Sequence, residues 1–276
     1  FFSCNMFEAR MGKSDTLKKC VEAVKELVTD GKFDCSKGGM SLQAMDSSHV
    51  ALVALLLRAD GFDHYRCDKP VSLGIKLVSL AKVLKCAGND DVLTMKAEEE
   101  RDAIAFTFED PKNKKFSEFD LKLMDIESDT LGIPDTEYKA SVTLPSSEFQ
   151  RIVRDLGVLG DTVMISATKE GVKFSVSGDM GTGSVTLRQA EGAMDDDEED
   201  KDAVNIDLVE PVSLTFALRY LGLFAKAAPL SDSVTLSLSP DVPLVVNFQL
   251  GEVGNVKFYL APKLGDEDDA EPEDNV

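Results

Sequence analysis

The residues able to do chemistry are few and scattered. There are two histidines, His49 and His64, and five cysteines, at positions 4, 20, 35, 67 and 86. No Cys-x-x-Cys or His-x-x-x-His spacing occurs, so no zinc ligand set can be written. Dispersed cysteines in odd number read as reduced thiols in an intracellular protein. Asp46-Ser47-Ser48-His49 sets a nucleophile beside a base, but sequence adjacency does not bring a histidine nitrogen to a serine oxygen. The segment reads as a loop entering the apolar strand 50–57. The glycine-rich stretch 178–183 falls between strands and not ahead of a helix, so it reads as a turn and not a phosphate cradle. Asp90-Asp91 also reads as a turn. The expectation is a protein that is not an enzyme and needs no metal or cofactor.

Binding chemistry is carried by the charges. Acids outnumber bases 50 to 30, for a formal net charge of −20. That argues against tight, purely electrostatic binding of nucleic acid or an anionic membrane. The distribution is uneven. Residues 191–202 hold eight acids and one lysine, and residues 266–276 hold seven acids and no base. These read as a solvated loop and a disordered tail. By contrast, residues 71–88 contain Lys76, Lys82 and Lys85 without an acid, and residues 212–230 contain Arg219 and Lys226 without an acid. Ordinary solvated helix faces would give this pattern. So would one shared, weakly basic surface turned toward a polyanion. A few lysine–phosphate contacts give weak, salt-sensitive affinity, which suits a protein held on DNA by topology and free to slide.

The elements that would carry these cations follow from periodicity. Four helices are predicted from apolar stripes: Leu17, Val21, Val24 and Val28; Leu73, Leu77, Leu80 and Leu84; Phe149, Ile152, Val153 and Leu156; and Leu214, Leu218, Leu221 and Ala225. Ser146 or Ser147 would cap the third. Alternation predicts strands at 103–108, 119–123, 163–167, 172–176, 234–238 and 245–248. The chain also repeats itself. PVSLGIKLVSLAKVLK from Pro70 lies over PVSLTFALRYLGLFAK from Pro211, so that Leu77 meets Leu218, Leu80 meets Leu221 and Lys85 meets Lys226. Lys37 to Leu42 likewise resembles Lys169 to Phe174. The fold class is therefore α+β, with two similar domains at 6–122 and 139–264. Each has helices on one face of mainly antiparallel sheets. Residues 123–138, with Gly132 and Pro134, would form the connector. Residues 1–5 read as a remnant or extension ahead of Met6, and 265–276 as the tail. No secretory signal and no membrane-spanning run is read.

Several long stretches carry a resemblance. They include Met6-Phe7-Glu8-Ala9-Arg10, LQAMDSSHV from Leu42, LKCAGN from Leu84, Leu131-Gly132-Ile133-Pro134, FALRYL from Phe216, DVPLVV from Asp241 and Tyr259-Leu260-Ala261-Pro262-Lys263. Over residues 6–264 the chain resembles the proliferating cell nuclear antigen family of eukaryotic sliding clamps.

The resemblance implies a nuclear homotrimeric ring that encircles duplex DNA independently of sequence. Such a ring acts as a polymerase processivity factor in replication and repair, with helices lining the hole and sheets outside. It implies that Lys18, Lys19, Lys25, Lys82 and Lys85 face DNA in the first domain, and Arg151, Arg154, Arg219 and Lys226 in the second. Lys69 holds a position usually basic in the family, and is counted with them. Partners would be the clamp loader, DNA polymerases, flap endonuclease, DNA ligase and other proteins carrying short peptides with Gln and an aliphatic–aromatic–aromatic plug. The implied peptide pocket takes Met45, His49, Val50 and Leu52 from the first domain and Leu131, Ile133 and Tyr138 from the connector. From the second it takes Pro243, Tyr259, Ala261, Pro262 and Leu264. Ring closure would join edge strands near 116–122 and 180–188, with Phe119, Leu121, Gly183 and Val185 at the interface. Lys169 matches a lysine modified by ubiquitin or its relatives. A heterotrimeric checkpoint-clamp subunit, a small-molecule enzyme and an acidic scaffold that never touches DNA are the competing readings.

Overall fold

A computed structural model describes residues 6–98, 101–110, 112, 115–127, 131–133, 136–189, 204–240 and 242–263. The expectations for residues 1–5, Pro134, the acidic loop 191–202, Leu264 and the tail 265–276 lie outside the described residues.

The first half runs β1 (Met6–Met11), α1 (Asp15–Val24), β2 (Asp30–Ser36), β3 (Gly39–Met45), β4 (Ala51–Arg58), β5 (His64–Cys67), β6 (Val71–Lys76), α2 (Leu77–Leu84), β7 (Val92–Glu98), β8 (Ala103–Asp110) and β9 (Lys115–Lys122). The second runs β10 (Ala140–Pro145), α3 (Ser146–Leu156), β11 (Thr162–Thr168), β12 (Gly171–Gly178), β13 (Gly181–Leu187), β14 (Asn205–Leu208), β15 (Val212–Ala217), α4 (Leu218–Phe224), β16 (Ser233–Leu238), β17 (Leu244–Gln249) and β18 (Gly254–Leu260).

The repeat is exact in wiring. The order β5-β1-β7-β8-β9 recurs as β14-β10-β16-β17-β18, and β4-β3-β2-β6 recurs as β13-β12-β11-β15. All these pairings are antiparallel. β18 then pairs antiparallel with β4 and fuses the halves through one nine-stranded sheet. Their counterparts, β9 and β13, each have a free edge among the described residues.

Loop hydrogen bonds repeat too. The Ser14 and Ser146 amides donate to the Asp91 and Asp232 carbonyls, both at 2.9 Å. The Leu77 and Leu218 amides donate to Thr29 and Asp161 at 3.0 and 2.9 Å. The Met124 and Lys263 amides donate to Gly74 and Thr215 at 2.9 and 2.8 Å. The aligned Lys37 and Lys169 segments are the hairpin turns β2–β3 and β11–β12. Each ends on a glycine of positive φ, Gly39 at 137° and Gly171 at 147°. A Cβ there would stand 2.2 and 2.3 Å from the carbonyl oxygens of Leu57 and Leu187, so only glycine fits.

Period-2 alternation buries Ile104, Phe106 and Phe108 of β8, and the stripe Phe149, Ile152, Val153 and Leu156 turns α3 onto the same core. Phe224 of α4 stacks on Phe258 of β18 at 4.6 Å between centroids. α1 packs against α2 and against the 3-10 segment Ala225–Leu230 that continues α4. α3 packs against α4 and that same segment, so the four helices form one layer.

Three expectations are corrected. Leu73 and Leu214 are strand residues of β6 and β15, so α2 and α4 begin at Leu77 and Leu218. An alternating strand that runs into a helix places leucines four apart across the junction and mimics a longer helical stripe. Val28 is buried but lies beyond α1. Ser146 does not cap α3: Pro145 precedes the helix, and among the described residues no side chain caps it and the buried Ser146 hydroxyl has no partner.

Candidate functional site

The helix layer carries nine of the ten cations singled out. Lys18, Lys19 and Lys25 belong to α1 or its last turn, Lys82 and Lys85 to α2 and its end. Arg151 and Arg154 lie on α3, Arg219 on α4 and Lys226 on the 3-10 continuation. Lys69 stands apart. It lies in the loop between β5 and β6, beside Met6 at the start of β1, whereas α1 follows the other end of that strand.

The acid-free windows of sequence are not acid-free in space. Glu22 of α1 meets Lys25 at 2.5 Å and Lys85 at 3.4 Å, and Glu26 pairs with Lys226. Arg151 meets Glu148 at 2.7 Å, Arg154 meets Asp155 at 3.0 Å and Lys19 meets Asp15 at 2.7 Å. Burial works to raise the Glu22 carboxyl, but Lys25 and Lys85 outweigh it and hold its pKa below the usual value. The Lys18 ammonium donates to the Ala87 carbonyl at 2.5 Å, tying α1 to the end of α2. Lys82 is exposed and has no ion pair among the described residues. The Lys25 side chain is largely covered in its pair, but the other paired cations are open to solvent, where ion pairs contribute little, so they can exchange an acid for a phosphate.

A cleft of about 310 Å³ opens where the halves meet. Met45 ends β3, His49 and Val50 lead into β4, and Leu52 lies on it. The connector supplies Leu131, Ile133 and Tyr138, Pro243 precedes β17, Tyr259 is on β18 and Ala261 follows it. Ala51, Gly132, Thr136 and Val242 complete the lining and were not read from sequence. Pro262 adjoins the cleft without lining it. The rim leaves Met45 39%, Leu131 42% and Ile133 39% exposed, an apolar cluster open to an incoming apolar group. Burial raises the phenols of Tyr138 and Tyr259 above their ordinary range, so both stay neutral.

Two side chains that sequence reasoning missed hold the walls. The Gln43 amide donates to the Leu131 carbonyl at 3.0 Å and accepts from the Leu131 amide at 2.7 Å, binding the connector as a strand neighbour would. Asp46, 7% exposed, holds the 46–51 loop. Its Oδ1 accepts from the amides of Val50 and Ala51, both at 2.8 Å, and its Oδ2 accepts from Ser48 at 3.1 Å. Oδ2 also accepts from the Tyr220 hydroxyl of α4 at 2.9 Å. Burial pushes this carboxyl up, but the donors Ala51, Tyr220, Ser48 and Val50 outweigh it and hold its pKa below the usual value. Within the loop His49 takes φ 57°, the left-handed region rarely used outside glycine.

On the two free edges, Phe119 and Leu121 of β9 and Gly183 and Val185 of β13 are half-buried and alternate with exposed neighbours. Lys169 is exposed in the β11–β12 turn. Among the described residues no cluster of His, Cys, Asp and Glu could hold a metal, and no helix is long and apolar enough to cross a membrane.

Comparison with protein-family models adds two matches. The proliferating cell nuclear antigen N-terminal domain matches residues 6–131, and the proliferating cell nuclear antigen C-terminal domain matches residues 132–263.

Proposed function

Since the chain belongs to the proliferating cell nuclear antigen family, whose members are non-enzymatic DNA sliding clamps built of two similar domains, we propose that three copies close into a ring around duplex DNA. The ring serves as a processivity factor and tethers partner proteins by short peptides. The domains are 6–122 and 139–264, joined by the connector 123–138. The observation that carries this reading is the β18–β4 joint. The chain already joins one half to the next by that pairing, and among the described residues it leaves one edge of each equivalent strand, β9 and β13, unpaired. Unpaired edges of eight and seven residues template association, and joining each β9 to the next copy's β13 removes both. Such a head-to-tail contact closes into a ring when the rotation permits.

The repeat supplies a register. Met124 and Lys263 are equivalent by their bonds to β6 and β15; counting back sets Phe119 on Phe258 and Ser117 on Val256. The paired hairpins β3–β4 and β12–β13 set Gly183 on Val53 and Val185 on Leu55. Phe258 faces Val53 and Val256 faces Leu55 within the chain. Across the ring joint Phe119 therefore faces Gly183, and Ser117 faces Val185. Phe119, Leu121, Gly183 and Val185 are the interface residues.

In that ring the helix layer faces DNA with Lys18, Lys19, Lys25, Lys82 and Lys85, and with Arg151, Arg154, Arg219 and Lys226. The cleft takes the aromatic plug of replication and repair proteins such as polymerases, the clamp loader, flap endonuclease and ligase. Exposed Lys169 suits modification by ubiquitin or its relatives, and the site of action is the nucleus. Native mass spectrometry should give three chains. In a Cys4→Ser, Cys86→Ser background, which removes Cys4 and the exposed thiol among the described residues, Ser117→Cys with Val185→Cys should cross-link into covalent trimers with a short thiol reagent. Monomer at micromolar concentration, or no cross-link, refutes the ring. Clamps loaded onto circular DNA should run off once it is linearised.

A further inference from the structure

The loop that walls the cleft in the first half is held by a residue of the second half's helix layer. Asp46 takes three backbone amides of its own loop, and its remaining partner is the Tyr220 hydroxyl, 174 residues away in sequence. Tyr220 is 4% exposed and its ring is fixed in the core of α4. Behind it Arg219 lies over the ring at 4.6 Å from the centroid and donates to the same hydroxyl oxygen at 2.9 Å. The phenol thus has a charged donor on one side and a charged acceptor on the other. A chain of polarised hydrogen bonds in this order strengthens each member.

We propose that Tyr220 is a positioning residue for the peptide cleft: through Asp46 it fixes the 46–51 loop, so capture of a partner peptide depends on α4 of the other domain. The proposal rests on the reading of the cleft as a peptide site. The loop needs such a tether because it contains His49 in the left-handed region. Without an acceptor held in place the amides of Ser48, Val50 and Ala51 lose their common partner, and His49 and Val50 lose their position on the wall. The charged and titratable side chains at this junction are Tyr220, which donates to Asp46, and Arg219, which donates to Tyr220. Tyr220→Phe deletes one of the four donors to Asp46 and leaves the three backbone amides.

The probe is a synthetic peptide with Gln followed by an aliphatic–aromatic–aromatic plug, titrated calorimetrically into the whole protein. Tyr220→Phe keeps the ring and its packing. It should weaken binding about three- to tenfold. It should also raise the pH at which binding is half lost on acidification, because Asp46 has lost a donor. Hydrogen exchange at the Val50 and Ala51 amides should quicken in Tyr220→Phe with no peptide present. Asp46→Asn, which leaves the phenol in place, should weaken the peptide as well, and Tyr220→Phe added to it should cost little more. Unchanged exchange at those amides, or full additivity of the two substitutions, overturns the proposal. Absence of peptide binding by the unsubstituted protein sinks the cleft reading instead, and the exchange measurement then decides the role of Tyr220 alone.

Discussion

Asp46 concentrates four donors on one nearly buried carboxylate, and its ionisation is therefore linked to folding. Its native pKa lies below the ordinary aspartate value of about 3.9. The stabilisation it gives is fully present above that value and is lost as pH falls through the lower native one. Asp46→Ala should cost on the order of 2–4 kcal/mol in urea denaturation at pH 7, since buried amides are left without an acceptor. The variant should lose stability less steeply below pH of about 4. Equal acid sensitivity in both proteins would mean that Asp46 is not the linked group. Gln43→Ala should loosen the connector at Leu131 and weaken peptide binding several-fold, with little change in thermal stability. Neither residue was legible in the sequence. The string Asp46-Ser47-Ser48-His49 offered a false catalytic pair, and its real partner lies 174 residues away. Gln43 looked like any polar strand residue until Leu131 came beside it.

The connector shows how two copies of one element can tolerate different residues. Met124 docks on Gly74 of β6 as Lys263 docks on Thr215 of β15, yet a Cβ on Gly74 would stand 2.0 Å from the Met124 carbonyl oxygen. Gly74→Ala should push the connector off β6 and cost about 1–3 kcal/mol. Exchange at the Met124 amide should become fast. Thr215→Ala, the same position in the second copy, should stay within about 0.5 kcal/mol. Equal effects at both sites would refute the close approach. Elements were the part of the fold most open to reading. Strands such as β8, β12 and β16 alternate cleanly, and the Pro70 and Pro211 copies align without a gap through strand and helix. The helix starts were not legible, because Leu73 and Leu214 extend the stripes of α2 and α4 backward. Nor was the cap of α3, where a backbone bond from Ser146 to Asp232 replaces a side-chain cap. The nine-stranded sheet was beyond reach too, since β18 and β4 are joined only by tertiary pairing.

At the scale of the whole molecule the charge balance decides how tightly a ring would hold DNA. The sequence shows the cations of α2 and α4 without acids nearby, but folding brings Glu22 to Lys25 and Lys85, and Glu26 to Lys226. These carboxylates compete with phosphate for the same ammonium groups. Each phosphate contact adds about 0.9 to the slope of log affinity against log salt, so competing acids flatten that slope and weaken the hold. A sliding ring gains from this, because tight contacts would raise the barrier to each step along the duplex. Replacing Lys82, Lys85, Arg154 and Lys226 together by alanine should impair loading while the trimer survives. The opposite change is the more telling one. Glu22→Gln with Glu26→Gln should cost each subunit about 1–2 kcal/mol at most, the larger share from Glu22, whose Lys25 partner is largely covered. It should leave the trimer intact while freeing Lys25, Lys85 and Lys226 for the backbone of DNA. Loaded rings should then diffuse more slowly along DNA at low salt and converge on the parent rate as salt is raised. Single-molecule tracking on stretched DNA measures both. Identical diffusion at every salt concentration would mean that α1, α2 and the end of α4 do not face the duplex.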